Sequence, residues 1–195
     1  MSASDFVQHT LGILGGMEVI HSYGFLHPWL STNKILLTKQ GCCKLYDFCL
    51  KEDAPHVFAV KKSKNESFVS LIAPESLRRN EYFQESDVWS AAVVIWEMLS
   101  CGLPPFTDTD YLLQEKCSQT QSSYTWPENF LQFRNHVLFE CWKEDLSSRP
   151  TMQALRFSFK EIFERFKDGE LATKSSACTL DLYEPMKEAA SDKRY

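Results

Sequence analysis

The chain has 195 residues, 44% of them hydrophobic, and a formal net charge of −5. That is enough apolar matter for one globular core, while mild acidity without a basic stripe gives no ground for nucleic-acid binding. No apolar run approaches the roughly 18 residues that span a bilayer, and the N-terminus lacks the basic-then-apolar layout of a signal peptide. Seven cysteines (Cys42, Cys43, Cys49, Cys101, Cys117, Cys141 and Cys178) show no C-x-x-C and no zinc spacing. They read as buried free thiols in a reducing compartment.

Met1 to Tyr23 reads as a helix, with Phe6, Leu11, Leu14, Met17 and Ile20 at helical spacing and Ser4 with Asp5 as the cap. Its glycines Gly12, Gly15 and Gly16 permit close packing against a neighbour, and Gly24 stops it. Lys34 to Thr38 and Cys43 to Tyr46 read as short strands around a Lys39-Gln40-Gly41 turn. Leu50 to Leu71 is polar, with Lys61, Lys62 and Lys64 clustered, and reads as a mobile loop. Ser86-Asp87-Val88-Trp89-Ser90 opens an apolar helix that runs to Leu99, with Ser86 or Asp87 as its cap. From Val88 onward that helix leaves almost no polar face, which predicts burial on all sides.

Further helices are expected at Tyr111 to Gln119, Asn129 to Trp142 and Met152 to Phe166. The last has Leu155, Phe157, Phe159, Ile162, Phe163 and Phe166 on a broad apolar face. Residues 168–195 are polar and charged with little periodicity, and read as a disordered tail behind a domain of residues 1–167.

Several short motifs, weak alone, occur in one order. His27-Pro28-Trp29-Leu30 leads to Lys34; Asp47-Phe48-Cys49 follows the strands; then come Ala73-Pro74-Glu75, Ser86-Asp87-Val88-Trp89-Ser90, Cys141-Trp142 and Arg149-Pro150-Thr151. Together they resemble the C-lobe of a tyrosine-kinase-like protein kinase domain. The resemblance implies a mainly α fold, a helical bundle around a buried central helix with a small two-stranded β element. It implies that His27, Phe48, Glu75, Asp87 and Arg149 are structural landmarks, and that Arg149 pairs with Glu75 in a buried salt bridge. It implies that Phe48 packs in the core. The glycine-rich loop and the strand lysine of the small lobe have no counterpart, so the chain reads as a C-lobe alone, either a fragment of a longer protein or a form without a small lobe.

Chemistry departs from the family where it matters most. The family's catalytic loop is H-R-D-L-x-x-x-N, whose Asp takes the substrate proton and whose Asn holds magnesium. Here the Arg position holds Pro28, the Asp position Trp29 and the Asn position Lys34, with Asn33 one place early. Indole offers a donor and no acceptor, so Trp29 cannot take a proton. Lys34 sets a positive charge where a cation should bind. Cys49 stands for the Gly of D-F-G and makes any positive φ there costly. Asp47 alone is left as a vestigial, weak metal ligand; taken without the flanking strands and the His27 loop, it would read by default as a turn or cap residue. In the family the Asp equivalent to Asp87 accepts bonds from loop amides. Pro28 has no N–H, so Asp87 is expected to be under-satisfied or re-aimed.

The resemblance thus points to a pseudokinase, a scaffold or interaction module in phosphotyrosine-type signalling. The alternatives are an enzyme fragment completed by a small lobe from elsewhere, and a truncated product without a settled role. No cofactor is expected; ATP and magnesium would bind only with a small lobe present. Partners are expected to be proteins, a kinase or an SH2 protein, the latter through Tyr183 of the Y-x-x-M Tyr183-Glu184-Pro185-Met186 once phosphorylated. The expected location is cytoplasmic, with no transmembrane segment in this chain.

Overall fold

The computed structural model describes residues 1–64, 72–102, 105, 130 and 133–164. The expected helix at Tyr111 to Gln119, the tail with Tyr183, and Cys117, Phe166 and Cys178 lie outside the described residues.

Helix α1 spans Ala3–Ser22. Its cap is Ser2 rather than Ser4. The Ser2 hydroxyl accepts the Asp5 N–H at 3.1 Å and the Asp5 carboxylate accepts the Ser2 N–H at 2.9 Å. This reciprocal box satisfies two end donors at once, which is why the helix starts early. Phe6, Ile13, Leu14, Met17 and Ile20 turn inward with Thr10. Two antiparallel ribbons follow. Strands β2 (Ile35–Leu37) and β3 (Cys43–Leu45) form the expected hairpin. A second ribbon, without a sequence signal, pairs β1 (Phe25–Leu26) with β4 (Cys49–Leu50). β3 lies across α1, and Gly16 makes that approach possible: a Cβ there would come within 2.9 Å of Leu45 Cδ1.

Residues 54–64 overturn an expectation. The segment read as a mobile loop contains helix α2, Ala54–Lys64. Its composition gave no helical stripe because, among its described side chains, only Ala54 and Phe58 are deeply buried; they join Leu26, Ile72 and Tyr82 in a small satellite core. Lysines add to its hold. Lys62 donates to the Leu77 carbonyl at 2.7 Å and to Asn80 Oδ1 at 3.0 Å.

Helix α3 (Pro74–Arg79) ends on Asn80 in the left-handed region, φ 55°. Helix α4 (Gln84–Leu99) is the buried centre that its all-apolar pattern predicts. Its start corrects the expected cap. The helix begins at Gln84, and Ser86 reaches back to accept the Phe83 N–H at 3.2 Å. A π-helical turn, Arg134–Leu138, runs into α5 (Phe139–Cys141), and α6 (Met152–Glu164) closes the described chain against α1. Phe6, Phe130, Phe133, Phe159 and Phe163 interlock between them, with Phe159 and Phe163 ring centres 4.4 Å apart. Phe157, expected on that face, is 64% exposed: it sits two residues from both Leu155 and Phe159, off their stripe.

Among the described residues five cysteines are free, and only Cys141 is buried; Cys42 and Cys101 are exposed, which corrects the expectation of general burial. No described helix is long and apolar enough to cross a membrane.

Near the C-terminal end of α4, burial pushes the Glu97 carboxyl up to about 7, opposed by a hydrogen bond from Thr32. The folded chain therefore holds this proton more tightly than the unfolded chain. Stability should decline by about 1–3 kcal/mol as pH rises from the ordinary glutamate value to neutrality. Chemical denaturation at intervals across that range should show this slope, and Glu97→Gln should flatten it.

Candidate functional site

The catalytic-loop segment leaves β1 at His27. Leu30 N–H donates to the His27 carbonyl at 3.1 Å, Pro28 follows His27, and Trp29 has φ 79°. These are the features of a type II turn, whose third residue is normally Gly or Asn. Trp29 in this region costs about 1–2 kcal/mol. The indole is compensated by packing: its ring lies 5.8 Å from Phe58 of α2, and Phe58 lies 5.4 Å from Tyr82. The position that a proton acceptor holds in the family is thus part of an aromatic stack.

Beneath it lies a buried polar knot. Asp87 is fully buried, yet it is not short of donors. Its Oδ2 accepts the His27 N–H at 2.9 Å and lies 2.8 Å from His21 Nε2; its Oδ1 accepts the Tyr82 hydroxyl at 2.7 Å. The expected deficit at Asp87 is made good by His21 and Tyr82, neither of which the sequence singled out. Burial together with the Asp87 charge drives the Tyr82 hydroxyl well above its ordinary value, so it remains a donor. Burial holds His27 below its ordinary value against the pull of Asp87. Neither His27 ring nitrogen has a hydrogen-bond partner among the described residues.

On the outer side of the turn stands Asp47, with φ 73°. The positive φ of the D-F-C segment falls here, while Cys49 sits in extended backbone on β4, so the missing Gly is not required where it was expected. Phe48 is 42% exposed and forms a T-shaped pair with Phe25, ring centres 5.6 Å apart. Its placement in the core is therefore corrected: the β1–β4 ribbon turns it outward.

The Asp47 carboxylate is held by two lysines, Lys34 Nζ at 2.8 Å and Lys61 Nζ at 2.9 Å, both on Oδ2. Partial burial pushes this carboxyl up, but the hydrogen bonds and charges of Lys34 and Lys61 outweigh it and hold the carboxyl below its ordinary value. The same bond raises Lys34. Two ammonium groups on one carboxylate repel a divalent cation at that oxygen, and ammonium groups are not metal ligands. The residues present do not fit magnesium. Nor do the described residues contain a cluster of three metal-ligating side chains.

Glu75 and Arg149 lie behind the loop. Arg149 Nη1 and Nη2 each donate to one Glu75 oxygen at 2.9 Å. Both side chains are 5% exposed or less. Ser86 donates to Glu75 at 2.6 Å, and Arg149 also reaches the carbonyls of Lys143 and Glu85 and covers the Trp89 ring. Every charge here is paired and hydrogen-bonded.

The sequence model for protein tyrosine and serine/threonine kinases matches residues 1–159. The chain belongs to the protein kinase family. Fibroblast growth factor receptor 1 of Pleurodeles waltl is 29% identical over 95% of the chain, and vascular endothelial growth factor receptor 1 of Homo sapiens is 28% identical over 86%. The chain spans 22% and 12% of the lengths of these two curated relatives. Within this kinase fold, three residues of the site carried too little local signal to be assigned. Lys61 was visible only as one of a lysine cluster, and Tyr82 and His21 were isolated polar residues; nothing short of tertiary contact links them to Asp47 and Asp87.

Proposed function

We propose that this chain is a catalytically inactive kinase-like module, a pseudokinase that works by binding in phosphotyrosine-type signalling. The observation that carries this reading is Trp29. At the loop position of the family's proton acceptor, the indole supplies no acceptor and is packed against Phe58. Lys34, at the position of the magnesium-binding Asn, is bonded to Asp47 and supports the same reading. Phosphoryl transfer relies on positioning and on metal charge, and both are replaced here.

A binding role is supported by apolar side chains left on the surface. Leu36, Leu37, Tyr46, Phe48 and Leu50, on the two ribbons and the segment between them, are all exposed. Apolar surface of this kind marks an interaction site. The free cysteines suit a reducing, cytoplasmic location.

The test is direct. Purified chain is incubated with labelled ATP, magnesium or manganese, and tyrosine-containing peptides. No γ-phosphate should move, and the melting temperature should shift by less than about 1 °C with nucleotide and metal. Transfer that survives removal of contaminating kinases would sink the reading.

A further inference from the structure

We infer that the Lys61 ammonium is a tethered cation, supplied by α2, that fills the metal position at Asp47 and closes it to divalent ions. This rests on the reading of the site as catalytically silent, and it adds a further group, Lys61, that keeps metal out. Among the described residues, the Lys61 nitrogen meets Asp47 Oδ2 at 2.9 Å, the Pro28 carbonyl at 3.0 Å and the Asp47 carbonyl at 3.2 Å. An ammonium has three donors, and these three acceptors converge on it. Oxygen ligands gathered around one positive centre are what a hard cation would require. Here the centre is covalently attached, which makes its local concentration high and its dissociation a matter of moving α2.

Lys34 is the second cation on the same oxygen, but its surroundings differ. Its nitrogen bonds Asp47 and lies 5.2 Å from the centre of the Tyr46 ring, on the β2–β3 side. Lys61 joins Asp47 to the turn, through the Pro28 carbonyl. It also joins both to α2, which is otherwise seated here by Ala54 and Phe58. The cation therefore has two effects: it excludes metal, and it fastens α2 over the Pro28–Trp29 turn.

Manganese provides the probe, read as loss of the free-ion electron paramagnetic resonance signal. The wild-type chain should show no saturable binding beyond that of Asp47→Asn. Lys34→Asn should remain equally metal-free, because Lys61 is still in place. Lys61→Met with Lys34→Asn should gain one site at least about tenfold tighter than any wild-type binding, since two like charges have gone, and adding Asp47→Asn should abolish it. Wild-type binding that Asp47→Asn removes would overturn the inference. So would a site gained by Lys34→Asn alone, or a double variant no better than wild type. Should the double variant lack a native melting transition, Lys61→Met alone is read by amide hydrogen exchange. Faster exchange across residues 54–64 supports the tether, and unchanged exchange overturns it. Phosphate transfer by the wild-type chain would instead refute the silent-site reading, so the two failures are distinct.

Discussion

Replacing Arg149 with alanine should destabilise the fold by about 3–5 kcal/mol, because it strands the buried Glu75 carboxylate without its partner. The pair is bidentate and almost wholly buried, and three further bonds from Arg149 and Ser86 fix it in place. A control sets the scale. Arg78 bonds Glu144 at 2.7 Å but both side chains are about half exposed, so Arg78→Ala should cost no more than about 1 kcal/mol. Urea denaturation of the two variants separates them; equal costs would mean that the buried pair carries no special weight. The joint variant Arg149→Met with Glu75→Met should lose less than either single truncation, since no charge is left uncompensated.

The pair also has a pH signature. Burial raises the Glu75 carboxyl, but hydrogen bonds from Arg149 and Ser86, with the Arg149 charge, outweigh it and the net shift is downward. A lowered folded value means that the unfolded chain binds the proton more readily. The stabilisation is therefore complete above the ordinary glutamate range and is lost as pH falls through the folded value. This runs opposite to Glu97, whose penalty grows as pH rises toward neutrality.

Asp87→Leu should be comparably severe, about 3–5 kcal/mol. It leaves the His27 N–H, the Tyr82 hydroxyl and the His21 ring without their shared acceptor in the interior. Tyr82→Phe removes one donor and leaves Asp87 two others, so about 1–2 kcal/mol is expected. Denaturation midpoints measure both. Near-equal losses would mean that Tyr82, rather than the carboxylate, organises the knot. Because the His27 carbonyl and N–H both belong to this network, the Asp87 variant should also loosen the Trp29 turn, visible as a change in tryptophan fluorescence.

Local pattern made much of the fold legible. The apolar run from Val88 to Leu99 announces a helix buried all round, and it is the centre of the core. The spacing of Phe6, Leu14, Met17 and Ile20 locates α1 and the face it buries. The ordered motifs led to the family, which the match over residues 1–159 establishes. The chemical content of Trp29 and Lys34 follows from residue type alone, because an indole has no acceptor and an ammonium no lone pair wherever they are placed.

Other features lie beyond local pattern. Among its described side chains, helix α2 has only two that are deeply buried, too few for a periodic stripe, so its helical state depends on Leu26, Ile72 and Tyr82 gathered from elsewhere in the chain. Phe48 and Phe157 look like core residues in sequence and are turned outward, one by a ribbon pairing and the other by its phase on α6.

Composition, periodicity and motif order thus determined α1, the β2–β3 hairpin, α4 and α6, which helix is central and which residue types stand at the loop's reactive positions, since each depends on neighbours in the chain or on the side chain itself. Tertiary structure alone decided that Lys61 meets Asp47, that His21 and Tyr82 complete Asp87, and that Phe58 supports Trp29. Those contacts join residues brought together only when the chain closes its core, and pairwise electrostatics and packing at such distances along the sequence leave no periodic trace.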